Sequence, residues 1–228
     1  KVSTAKDDTI TSSGAFIIGS TVDGGAGADT LTISGANATT AALGVITFAV
    51  NVTNVEAINF AGSGANTVTF GDTIGLAVKN TSATLASDVA MGDGANASFT
   101  ATGIGANTVV LGSGLGQSTS ITGANAVVQT VTLGGPGQSV STGIGNDVIN
   151  TSVANLAGST ITMGAGATDS LDFAAGAGSA FSIGATAVSG GAAKVSGAET
   201  INMAALTGTN TALTITPGAN IAITAPTA

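Results

Sequence analysis

Carboxylates are the most versatile side chains in this chain of 228 residues: ten aspartates (Asp7, Asp8, Asp23, Asp29, Asp72, Asp88, Asp93, Asp147, Asp169, Asp172) and two glutamates (Glu56, Glu199). Paired, carboxylates can act as general acid and base on a glycosidic bond. Gathered with turn carbonyls, they can hold a hard cation such as Ca2+. The residues that would support other chemistry are missing. There is no histidine, cysteine, tryptophan, tyrosine or arginine, so no Ser-His-Asp or Cys-His nucleophile can be assembled. No zinc or haem site with His or Cys ligands is available either. Four lysines against a net charge of −8 disfavour nucleic acid or phosphate as partners. The acid pairs closest in sequence are Asp7 with Asp8 and Asp169 with Asp172. Without Arg, His, Trp or Tyr to grip a sugar, a polysaccharide-cleaving site at Asp169 and Asp172 is the weaker reading, and the chain is expected not to be an enzyme.

The carboxylates sit in a particular setting. Asp23, Asp29, Asp72, Asp93, Asp147, Asp169 and Asp172 lie in or beside Gly-rich turns or strand starts. A Gly-x-Gly-x-(Asp/Asn) signature begins at Gly25, Gly62, Gly92, Gly103 and Gly143, and again with one inserted residue at Gly164. These starts are unevenly spaced, so there is no strict tandem array. Short β-branched runs follow: Thr30–Ser34, Val45–Val50, Thr67–Phe70, Thr108–Leu111, Val127–Leu133, Ser159–Met163, Ala212–Ile215 and Asn220–Ile223. Helical turns are expected only around Thr39–Leu43 and Ser152–Ala157. These features predict an all-β fold, a parallel β-solenoid or β-roll with irregular coils, with a β-sandwich as the alternative.

A larger duplication overlies the turn motif. GAGADTLTI from Gly25 is followed by Val55-Glu56-Ala57-Ile58-Asn59, and GAGATDSLDF from Gly164 by Ala198-Glu199-Thr200-Ile201-Asn202, which puts the two glutamates at equivalent places. The expected organisation is an extended segment 1–19, a β module 20–75, a Gly-rich β middle 76–159, a related module 160–216 and a tail 217–228.

Val22-Asp23-Gly24-Gly25-Ala26-Gly27-Ala28-Asp29-Thr30-Leu31 resembles the RTX nonapeptide, GGxGxDxLx. The whole chain resembles the Ala/Thr/Gly/Val-rich surface-layer and adhesin-like proteins of Gram-negative bacteria, which combine sparse RTX motifs with V-x-x-x-E-x-[IL]-N segments. The resemblance implies a right-handed roll with Ca2+ in its Gly-rich turns. The implied metal residues are Asp23, Gly25, Gly27 and Asp29, with Asp147 and Asp169 in the partial copies. Complete nonapeptides are not adjacent here, and three of the six motif copies carry Asn in place of Asp.

No uninterrupted apolar run is long enough to span a membrane. Lys1-Val2-Ser3-Thr4 lacks the apolar core of a signal peptide, as expected for an excerpt, a processed chain or another export route. Absence of cysteine points to an exported, cell-surface location. Strands with few charges have little defence against edge-to-edge pairing, so copies of the chain itself are the expected partners, with cell-surface polysaccharide as a second and an adhesin's ligand-binding module as the alternative function.

Overall fold

The computed structural model describes residues 5–12, 21–34, 46–47, 52–61, 66–70, 75–81, 87–103, 105–122, 127–174, 176–177, 181–184, 193–207, 213–216 and 222–224. Between Ala57 and Phe173, twelve strands alternate between two sheets. The first sheet takes β6 (Ala57–Phe60), β8 (Ala77–Asn80), β10 (Ser98–Ala101), β12 (Ser118–Ile121), β14 (Ser139–Ser141) and β16 (Thr160–Thr162). The second takes β7 (Asn66–Thr69), β9 (Ser87–Ala90), β11 (Asn107–Val110), β13 (Thr130–Thr132), β15 (Val148–Thr151) and β17 (Ser170–Phe173). Two strands per coil make six coils, and every neighbouring pair is parallel.

Further strands extend both sheets. The first gains β1 (Thr9–Ser12) and β3 (Thr30–Ile33) before β6, then β20 (Ala193–Ser196), β19 (Phe181–Gly184) and β23 (Leu213–Thr216) after β16. The second gains β4 (Ile46–Thr47) at one end, with β21 (Thr200–Asn202) and β24 (Ala222–Thr224) at the other. Two small pairs stand apart, β2 (Val22–Asp23) with β5 (Val52–Thr53), and β18 (Gly176–Ala177) with β22 (Leu206–Thr207). The fold is a parallel β-solenoid. The only helix among the described residues is the single turn α1 (Val153–Leu156), where the Ser152 hydroxyl accepts from the Asn155 amide at 3.1 Å. It lies within the turn expected at Ser152–Ala157. Thr39–Leu43 and Asp72 lie outside the described residues.

The coils are more regular than the spacing of the turn motif suggests. First-sheet strands begin at Ala57, Ala77, Ser98, Ser118, Ser139 and Thr160, a nearly constant step. The motif is used at either corner of a coil, which scrambles its intervals. Gly92 leads into β10 in the first sheet, and Gly103 leads into β11 in the second, half a coil later. The stretch from Gly143 to Gly164 is one coil, and that from Gly103 to Gly143 is two. Longer coils stand outside this part of the solenoid, such as the one from Thr30 to Ala57.

Alternation along each strand turns every second residue inward. Parallel register then stacks like on like. Leu31, Ile58, Val78 and Phe99 form one first-sheet column, and Val89, Val109, Val131, Ile149, Leu171 and Ile201 one second-sheet column. All are buried in a single core shared by the two sheets. Each such side chain contributes roughly 1.5–3 kcal/mol of burial. The run expected as a strand from Val127 starts only at Thr130. Val127 and Val128 stay exposed, and Gln129 is turned inward for a different purpose.

Candidate functional site

At the corner entering the second sheet, Asn107, Gln129, Asp147, Asp169 and Glu199 occupy one register position on successive coils. Backbone direction there leaves the N–H of the first four pointing toward the next coil with no strand carbonyl to receive it, while the Glu199 N–H donates back to the Asp169 carbonyl. An orphaned buried amide is costly. The next coil's side chain supplies the acceptor. The Asn107 amide donates to Gln129 Oε1 at 2.9 Å, Gln129 to Asp147 Oδ1 at 2.9 Å, Asp147 to Asp169 Oδ1 at 2.7 Å, and Asp169 to Glu199 Oε2 at 2.7 Å. Amides and carboxylates thus form a ladder inside the corner.

The first sheet has its own ladder. The Asp8 amide donates to Asp29 Oδ1 at 2.8 Å, and the Asp29 amide to Glu56 Oε2 at 2.7 Å. Farther along, Gln117 accepts from the Gly112 amide and donates to the carbonyls of Gly92 and Gly94. Gln138 does the same between the Gly134 amide and the Gly112 carbonyl, and its own amide donates to Ser159 Oγ. The three glutamines are the only ones in the chain, and all are buried.

The two glutamates make the same ladder step in different sheets. Each accepts the amide of an aspartate one coil back, and that aspartate's carbonyl accepts from the glutamate's amide and from the following one: Asp29 from Glu56 and Ala57, Asp169 from Glu199 and Thr200. The duplication read from the sequence therefore repeats a local geometry, at the first-sheet corner in one copy and the second-sheet corner in the other.

The implied metal residues fall into distinct roles. Gly25 and Gly27 hold φ at 94° and 141°, the left-handed side open to glycine, and a Cβ on Gly27 would stand 2.6 Å from the Lys6 carbonyl carbon. These two are needed by the turn itself. Asp23 Oδ1 accepts from Asn54 Nδ2 at 2.8 Å and the Gly25 amide at 3.1 Å, and these bonds, the Asn54 one foremost, hold its pKa below the usual value. Asp29, Asp147 and Asp169 are fully buried rungs of the ladders. Asp172 stands on the outer face of β17, so it does not share a site with Asp169. Asp7 is exposed and accepts from the Ala28 amide.

Two carboxylate oxygens, Asp29 Oδ2 and Asp147 Oδ2, are buried without a hydrogen-bond partner. A Cβ placed on Gly24 would stand 2.8 Å from Asp29 Oδ2 and would land on the Asn54 carbonyl oxygen. The absence of a side chain at Gly24 thus lets the Asn54 carbonyl pack close to the Asp29 carboxylate, two oxygens of the kind that Ca2+ takes as ligands. No group of three or more Asp or Glu side chains converges in metal-holding geometry among the described residues. Cation binding would therefore draw on Asp29 Oδ2 and the Asn54 carbonyl rather than on a carboxylate cage.

Asp147, Asp169 and Glu199 put three carboxyl groups on consecutive rungs. Burial raises the Asp169 pKa above its ordinary value of 3.8, and the neighbouring Asp147 and Glu199 carboxylates push in the same direction, while the Asp147 and Gly166 amides pull it down. A raised pKa means that the native state holds this proton after the unfolded chain has released it. Stability is therefore lost as pH rises from 3.8 through the native pKa and regained on acidification through that window. Asp169→Asn keeps an oxygen for the Asp147 amide and removes the charge. It is expected to be at least as stable as the parent at neutral pH. Urea midpoints of parent and variant should converge as acid protonates Asp169 in the parent, and a constant gap across that window would refute this reading.

No protein-family model, curated protein or solved structure matches the chain. No helix among the described residues is long and apolar enough to cross a membrane. Sequence reasoning read Asn107 only as the Asn of the Gly103 turn motif, and it missed Gln117, Gln129 and Gln138. Gln117 and Gln138 stand one coil apart, and that spacing was the available signal.

Proposed function

We propose that the chain is an extracellular structural subunit that assembles with copies of itself into a bacterial surface layer or filament, tightened by Ca2+ at the Asp29 turn. The carrying observation is the pair of broad outer faces. On β10, β12, β14 and β16 every outward residue is serine or threonine. Such registered, nearly charge-free surfaces suit burial against another β surface. The polar groups that are buried serve the coil-to-coil ladders, which fits a scaffold. Bound Ca2+ would supply positive charge to a corner crowded with carboxylates, and Asp29 and the carbonyl of Asn54 would hold it. The resemblance to surface-layer proteins agrees with this reading.

Electron microscopy of purified protein with millimolar Ca2+ and with chelator tests both clauses. Ordered assemblies with Ca2+ that loosen on chelation are expected. Assemblies indifferent to chelator remove the calcium clause, and particles monomeric under both conditions overturn the assembly.

A further inference from the structure

The two sheets share one core, so their outer faces lie on opposite sides of the solenoid. Among the described residues, the first-sheet strands carry no carboxylate and present Lys79 on β8 and Lys194 on β20, while the second-sheet strands carry no lysine and present Asp88 on β9 and Asp172 on β17. In a chain with four lysines, two therefore sit on one face and two aspartates on the opposite one.

Their positions agree in two directions. Along the strands, Lys79 is the third residue of β8 and Asp88 the second of β9. Register carries Lys194 back through Thr160, Ser139, Ser118 and Ser98 to Ala77, the first position. It carries Asp172 back through Asn150, Thr132 and Val110 to Ala90, the fourth. The chain returns in the opposite direction across each coil. Third over second and first over fourth are then the same displacement. Along the axis, the lysines are five strand steps apart and the aspartates four. The mismatch is one step, roughly 4.8 Å, within the reach of a lysine side chain.

We infer that the first-sheet face of one copy docks on the second-sheet face of the next by simple sideways translation, Lys79 meeting Asp88 and Lys194 meeting Asp172. The contact joins two different faces, so it does not close on itself and it propagates a row of parallel solenoids. Between the charged points the first-sheet face carries serine and threonine and the second-sheet face threonine, valine and asparagine, side chains small enough to let the sheets approach closely. This inference rests on the self-assembly reading and specifies its contact and its symmetry.

Charge reversal on the full chain tests it. One variant carries Lys79→Glu and Lys194→Glu, the other Asp88→Lys and Asp172→Lys, each checked by circular dichroism for retained β structure. In each variant alone, both docking faces carry the same sign. The concentration at which half the protein pellets should rise about tenfold or more. Equimolar mixing restores opposite signs at every contact, in alternating order, and should bring that concentration back to within about twofold of the parent. Variants that pellet like the parent, or a mixture that fails to recover, would overturn the face pairing while leaving self-assembly intact. A parent that never assembles overturns both. If a reversal costs the fold, the parent's own salt response decides: pelleting weakened by high salt supports the charged contact, and pelleting indifferent to salt overturns it.

Discussion

Gln129→Ala is expected to destabilise the solenoid by about 3–5 kcal/mol, among the largest losses available to a single polar residue. Gln129 sits where two parts of the corner meet. Its Oε1 accepts from both the backbone amide and the Nδ2 of Asn107, and its Nε2 donates to the carbonyls of Gly105 and Val127. Truncation leaves the buried Asn107 groups without that acceptor and withdraws a donor from two carbonyls. Water cannot easily compensate, because Gln129 and Asn107 are 1% and 2% exposed. Gln129→Glu separates the contributions. It keeps an acceptor for Asn107 but loses both donations and sets a carboxylate beside Asp147. It should be impaired at neutral pH and recover partly in acid, whereas the alanine variant should not recover. Urea denaturation at two pH values measures both.

Gly164→Ala is expected to cost about 3 kcal/mol or more, through a steric conflict with backbone rather than with a movable side chain. The added Cβ would land on the Gly143 carbonyl oxygen and stand 2.6 Å from the carbonyl carbon. Gly143 is one coil earlier, so the conflict cannot be relieved without parting two coils. Gly137→Ala is the matching control. Its φ of +69° disfavours any side chain, yet nothing lies within 4 Å of the added carbon, so it should lose only about 1–2 kcal/mol. Thermal unfolding of the two variants side by side distinguishes close packing from backbone conformation. Equal losses would mean that the corners tolerate a methyl group.

The strands of the solenoid were legible because β-branched alternation is a local property: Thr30-Leu31-Thr32-Ile33 reads as half-buried wherever it stands. The coil length was hidden, because the same glycine turn serves both corners and some coils are longer. The Gly92 and Gly103 motifs looked like neighbouring repeats, although they lead into strands of different sheets. The candidate site was partly legible. Asp29, Asp147 and Asp169 stood out through their Gly-rich turns, and the two glutamates through their equivalent places. Their shared role as acceptors for amides about one coil away depends on parallel register, which no local window contains. Gln117, Gln129 and Gln138 were passed over for the same reason: an amide side chain in a Gly-rich turn, as at Gln117 and Gln138, or in an expected strand, as at Gln129, looks solvent-facing until an adjacent coil encloses it. The distribution of Lys79, Lys194, Asp88 and Asp172 over two faces likewise emerged only once the strands were assigned to sheets.

The ladders also have a direction. In the steps from Asp8 to Asp29 and Glu56, and from Asn107 to Glu199, the donor belongs to the earlier coil and the acceptor to the later one. At these corners a growing stack of coils therefore presents a bare amide at its advancing end and is completed only by polypeptide still to come. Structure laid down from the N-terminal side becomes vectorial, each coil acting as a template that the next one must satisfy. A chain interrupted between Asp147 and Asp169 would end on a donor with no receiver, a molecular record of incompleteness at that position.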